Sequence, residues 1–175
     1  MSSLKEFNGV WVQESQEGRD EFLKFFGMNP IMRKLAGKFK PRITIKVIAE
    51  NAYREQSSAL ELDRIILFDQ EIENEIPKIA CGMSTTTFQE GTGSGETGKR
   101  IFMKFRCTEK KSRETGEKCL IPVGQNLERS REIINGKLVQ TVFVDGVQPY
   151  KIVYRRKNET DKDESSDSEE DDGEE

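Results

Sequence analysis

Ile101-Phe-Met-Lys-Phe-Arg-Cys107 decides how this chain is read. Its odd positions, Ile101, Met103, Phe105 and Cys107, are all apolar, while Lys104 and Arg106 fall on the opposite side. A repeat of two residues is that of a β-strand, and a strand apolar on one side belongs to a sheet with one dry face and one wet face. Ile43-Thr-Ile-Lys-Val47 repeats the pattern, again with the odd positions apolar. Further along stand Asn135-Gly136 and Asp145-Gly146, pairs that tolerate the positive φ of tight hairpins. Together these features predict a meander of antiparallel strands.

Residues 16–37 break the alternation. Phe22, Leu23, Phe25 and Phe26 recur at helical spacing, and Gly27 suits the left-handed residue that ends a helix. A second helix should follow, with Asn29 as N-cap, Pro30 at its first position, an apolar face of Ile31, Met32 and Leu35, and Gly37 as its stop. Helices of about two turns are marginal alone in water, so the pair should dock its aromatic face on something apolar, such as the open end of a barrel. Eight or so strands, one early helix pair and no βα alternation favour a barrel over a sandwich. A barrel of this size either fills its interior with side chains or holds one small ligand.

The 175 residues divide into a body, 1–157, and an acidic appendage, 158–175. The appendage has eleven acidic residues, one lysine (Lys162) and no aromatic or branched apolar side chain. It should stay disordered, because it cannot bury enough apolar surface to offset its ordering entropy. It contributes −10 to a net charge of −4, so the body is near +6. Three cysteines, Cys81, Cys107 and Cys119, cannot all pair within one chain, and the first residues lack the apolar core of a signal peptide. Both point to a reducing compartment, the cytoplasm and by extension the nucleus. The absence of histidine excludes Ser-His-Asp and Cys-His catalysis and any histidine-ligated metal. No cofactor, no nucleic-acid partner and no enzymatic activity are expected.

Two blocks resemble the intracellular fatty-acid-binding protein family, which includes the cellular retinoid-binding proteins. The first runs from Phe7-Asn-Gly9-Val-Trp11, like the family's F-x-G-x-W, through Asp20-Glu-Phe-Leu-Lys-Phe-Phe-Gly27 and Arg33-Lys-Leu-Ala36 to Lys40-Pro41. The second is Arg131-Glu-Ile-Ile-Asn-Gly-Lys-Leu-Val139, close to the family's R-E-x-x-D-G-K-L-x. With a looser match over 53–75, these cover about half the body. The resemblance implies an all-β fold: a ten-stranded antiparallel up-and-down barrel, or clam, closed by a short helix-turn-helix lid over residues 16–37. It also implies a monomeric, non-enzymatic carrier of one fatty acid or similar amphipathic lipid, its carboxylate held near two arginines and a tyrosine.

Carried over residue by residue, the first arginine falls on Arg131. Lys151 stands twenty residues on, where the family has its second arginine, and the tyrosine position falls on Val153, with Tyr154 one residue beyond. A one-residue bulge would turn Tyr154 inward; strict alternation turns it out. Lysine pairs a carboxylate as a point charge, without the planar fork of arginine. Either Arg131 with Lys151 holds the carboxylate differently, or the ligand is not a simple fatty acid. Gln140 and Val142 should line the cavity beside Arg131, and Phe22, Phe25, Phe26, Met32 and Leu35 should form the lid and portal. The basic cluster of Arg33, Lys34, Lys38, Lys40 and Arg42 is either a solvated face or a surface for transient membrane contact, where each basic residue adds about 1 kcal/mol.

The middle of the chain, from about 76 to 129, departs from the family. Gly91-Thr-Gly-Ser-Gly-Glu-Thr-Gly-Lys-Arg100 contains a dinucleotide fingerprint and most of a P-loop, with Arg100 in place of its Ser/Thr, but both require a helix next, and a strand pattern follows. It reads as a hairpin loop. The stretch 108–125 is also longer than a tight hairpin. The rival to a lipid carrier is an interaction protein that keeps the barrel as a scaffold and binds a basic partner through these loops and the acidic tail.

Overall fold

The computed structural model describes residues 4–58, 60–76, 79–90 and 98–161. A 3-10 turn at Leu4–Phe7 leads into β1 (Gly9–Glu17), α1 (Arg19–Phe25) and α2 (Pro30–Gly37). Nine strands follow: β2 (Arg42–Ala49), β3 (Ala52–Ser57), β4 (Leu62–Leu67), β5 (Glu71–Ile76), β6 (Ala80–Glu90), β7 (Lys99–Glu109), β8 (Asn126–Ile134), β9 (Lys137–Phe143) and β10 (Tyr150–Arg156). They form one sheet in the order β4-β3-β2-β1-β10-β9-β8-β7-β6-β5, every ladder antiparallel. β1 and β10 close the meander on itself, leaving β4 and β5 facing across a gap. This is the expected up-and-down barrel with a helical lid, with ten strands where periodicity alone resolves about eight.

Alternation explains the ladders. The inward positions of β2 are Ile43, Ile45 and Val47, and those of β7 are Ile101, Met103, Phe105 and Cys107; Lys104 and Arg106 are exposed. Asn135 and Gly136 both adopt positive φ (53° and 74°), which gives the tight β8–β9 hairpin. Where β6 changes register with β7, Cys81 lies opposite Glu109 and Gly82 opposite Cys107. A Cβ on Gly82 would lie 1.9 Å from the carbonyl oxygen of Arg106 and 3.0 Å from Cys107 Cα. Neither backbone atom can rotate away. Gly82→Ala should therefore destabilise the protein by about 3 kcal/mol, as overpacking does. A melting temperature within a degree of wild type would show that β6 and β7 slide apart freely.

The buried apolar residues fall into two clusters at opposite ends of the interior. One, around the 3-10 turn, contains Phe7, Trp11, Tyr53, Phe68, Ile152 and Tyr154. The other, beneath α1, contains Phe22, Leu23, Met103, Phe105, Ile121 and Leu127.

The lid has the predicted chemistry but not the predicted packing. Gly27 is left-handed (φ 85°), Asn29 Oδ1 accepts from the Met32 N–H at 2.9 Å, and Pro30 opens α2. On α1, Phe22 and Leu23 are buried, Phe26 is half-buried and Phe25 is exposed. Phe22 packs on Tyr150 with ring centroids 5.5 Å apart. α2, in contrast, buries no side chain: Ile31 is 74% exposed, Met32 49% and Leu35 54%. Polar contacts hold it instead. Arg19 donates to the carbonyls of Ala36, Gly37 and Phe39 at the end of α2, and Arg33 pairs with Asp20 at 3.0 Å.

Residues 110–125 form an ordered excursion. The Ile121 N–H donates to the Ile79 carbonyl at 2.9 Å, and Ile121 is fully buried beneath the lid end. Cys81, Cys107 and Cys119 are free, buried thiols. Burial and the Glu109 carboxylate push Cys81 up to about 11. Residues 91–97 of the glycine-rich segment lie outside the described residues; Lys99 opens strand β7. The acidic segment's residues 162–175 also lie outside them, while Asn158–Asp161 form a turn in which Asp161 binds Arg155 through both oxygens at 2.7 and 2.8 Å.

Candidate functional site: a charged layer inside the barrel

Between the two apolar clusters lies a layer of ionised side chains. Strand parity puts Leu127, Arg129, Arg131 and Ile133 on the inner side of β8, and Tyr53 and Glu55 on the inner side of β3. Arg131 is 1% exposed, its Nε donates to Gln140 Oε1 at 2.8 Å, and its Nη2 pairs with Glu55 Oε1. The other oxygen of Glu55 accepts from Arg64 of β4 at 2.9 and 3.1 Å. Arg64 also donates to Asn74 and, at 2.6 Å, to the Glu75 carbonyl, both on β5, so it crosses the gap between the sheet's ends. Asn74 passes the network to Ser84 at 3.0 Å.

The electrostatics follow from burial and arginine count. Burial works against an ionised Glu55, but the guanidiniums of Arg131, Arg64 and Arg129 outweigh it and hold the carboxyl well below the usual carboxylate range. Burial works against Arg131 too, yet Glu55 keeps it firmly charged. Arg129 is different. It is 6% exposed and makes no hydrogen bond or ion pair with any described residue, and burial and repulsion from Arg131 bring it down to about 10. It remains a cation at neutral pH. Three arginines therefore surround one carboxylate. Arg131 Nη1 and the Tyr53 hydroxyl are buried with no hydrogen-bond partner among the described residues.

Several expected residues meet here and one does not. Gln140 is beside Arg131 as expected, and Val142 is half-buried one pair further towards the lid, opposite Arg129. Tyr154 faces inward, 1% exposed, with its hydroxyl pushed up by burial. Lys151 is exposed on the outside of β10, paired with Glu17 and Thr141. The inner residue across from Arg131 is Ile152, reached through Gln140 and twenty-one residues on. The β9–β10 connection, residues 144–149, is one residue longer than the twenty-residue spacing allows, and one residue of slip exchanges the two faces. The inward shift of Tyr154 comes from this connection, not from a bulge in β10. Glu55, Arg64, Arg129 and Tyr53 belong to the layer without having been expected there.

Among the described residues, no group of three or more cysteine or acidic side chains is placed to hold a metal ion, and no helix is long and apolar enough to cross a membrane.

Ten meandering strands, a gap between β4 and β5, a helical lid and an interior arginine layer define a clam-shaped up-and-down barrel. No family model matches the chain. Human intestinal fatty acid-binding protein is 26% identical over 146 residues, 83% of this chain and 96% of that protein. Apo Caenorhabditis elegans lipid binding protein 8 superposes with a TM-score of 0.63 at 18% identity, over 88% of this chain and 97% of the other. Echinococcus granulosus fatty-acid-binding protein 1 gives 0.60 at 20%, over 87% and 98%. The chain shares the fold of these lipid-binding proteins and is similar in sequence to the first of them over nearly its whole length.

Proposed function

We propose that the chain is a non-enzymatic, monomeric carrier that holds one amphipathic lipid, a fatty acid or a close analogue, inside the barrel. The observation that carries this reading is the arginine layer: excess positive charge, with Arg129 and Arg131 buried, between apolar walls. Apolar walls suit an acyl chain, which gains about 0.8 kcal/mol per buried CH2, and a buried cation suits an acidic head group. The names of the relatives, fatty acid-binding and lipid binding proteins, support the same class of ligand. The exposed Ile31, Met32 and Leu35, beside Lys34 and Lys38, suit transient contact with an anionic membrane surface during loading. The cytoplasm, with access to the nucleus, is the proposed compartment.

Titration of the delipidated chain with oleate tests the reading. Saturable binding at one site per chain is expected; binding that never saturates, or none, would contradict it.

A further inference from the structure

We propose that the residue binding the ligand's head group is Arg129, assisted by Nη1 of Arg131, and that the ligand is therefore a lipid with an anionic head. The inference rests on the carrier reading and goes past it, because the family spacing points to Arg131 and says nothing of position 129.

Arg131 is already served. Its Nε is held by Gln140 and its Nη2 by Glu55, a carboxylate built into the protein that occupies the place a ligand's carboxylate would otherwise take. Both oxygens of Glu55 are used, the second by Arg64. That leaves Arg129, buried, near Glu55 but making no hydrogen bond or ion pair with any described residue, two residues from Arg131 on the same strand face. Buried cations are ordinarily paired, and an unpaired one is retained at a cost in stability. Beside it, Arg131 Nη1 is an orphaned donor. Two neighbouring donor groups lacking acceptors form the complement of an oxyanion.

Position agrees with chemistry. Arg129 pairs with Val142, which pairs with Tyr150, and Tyr150 packs on Phe22 of α1. Arg129 therefore stands on the lid side of the Glu55–Arg131 pair, where a head group passing the lid meets it first. A neutral lipid would leave Arg129 unpaired, so acids should be preferred over alcohols.

The test compares wild type with Arg129→Met, a substitution that keeps apolar bulk and removes the charge. Delipidated full-length protein is titrated with oleate and with oleyl alcohol, and the ligand-free melting temperature of each protein is recorded. Arg129→Met should bind oleate roughly tenfold to a hundredfold more weakly, the loss of a charged hydrogen bond. It should bind oleyl alcohol at least as well as wild type does, and its ligand-free form should melt higher, since an unpaired cation has gone. Equal oleate affinity in the two proteins, or a lower ligand-free melting temperature, would overturn the assignment of Arg129 and leave the carrier reading standing. A wild type that binds neither oleate nor the alcohol would overturn the carrier reading, and this inference with it.

Discussion

Replacing Glu55 with glutamine should lower the stability of the barrel by about 3–5 kcal/mol, the cost of breaking a buried ion pair by removing one partner. Glutamine keeps the size, so the loss is electrostatic. Arg131 and Arg64 would both lose their carboxylate partner, and Arg129 would lose an anion that offsets its burial. For a chain of this length the melting temperature should fall on the order of 10 °C. The pH dependence has a definite sign. Glu55 is held below its unfolded value of about 4.3, so its contribution is complete above that pH and is lost as the pH falls below it. Wild type and Glu55→Gln should therefore differ by a constant amount above about pH 5 and converge as acid is added. A double variant, Glu55→Met with Arg131→Leu, should recover much of the loss, because it strands fewer charges. If Glu55→Gln melts within a degree or two of wild type, the carboxylate is not what neutralises the interior.

Trp11→Ala should cost a similar amount, about 3–5 kcal/mol, for a different reason. Trp11 is completely buried in the cluster opposite the lid, and its indole N–H donates to the Phe7 carbonyl at 2.9 Å, tying β1 to the turn that plugs this end. The Arg156 guanidinium lies 4.3 Å from the ring centroid and donates to the carbonyls of Asn8 and Glu6, so the same ring positions β10. Alanine would leave a large cavity and an unpaired carbonyl. Trp11→Phe should recover most of the packing but not the hydrogen bond. Chemical denaturation followed by circular dichroism reads both. A shift under 1 kcal/mol for the alanine variant would mean that the plugged end contributes little.

Much of the barrel is legible in the sequence because alternation is local. Ile43–Val47 and Ile101–Cys107 announce which side is inward, Asn135-Gly136 announces a hairpin, and Asn29-Pro30 announces a helix start. What alternation leaves open is what each face meets. Met32 and Leu35 form a proper apolar stripe, yet α2 turns it to solvent, since Arg19 and Arg33 hold the helix by polar contacts. Lys151 shows the fragility of counting along the chain: one added residue between β9 and β10 puts Ile152 where the lysine was expected. Arg129 was within reach, since it shares parity with Arg131 between apolar Leu127 and Ile133. A lone charge in a strand is ordinarily a surface charge, however, and that habit hides it. Glu55 is harder, because its partner Arg131 is seventy-six residues away and joins it only when the barrel closes.

Native mass spectrometry of the full-length protein as purified, before any delipidation, should reveal a population heavier than the bare 20.1 kDa chain by the mass of one lipid. That mass should be released on denaturation and identified as an acidic amphiphile in negative-ion mode. A single bare mass that persists after incubation with excess oleate would contradict the carrier reading.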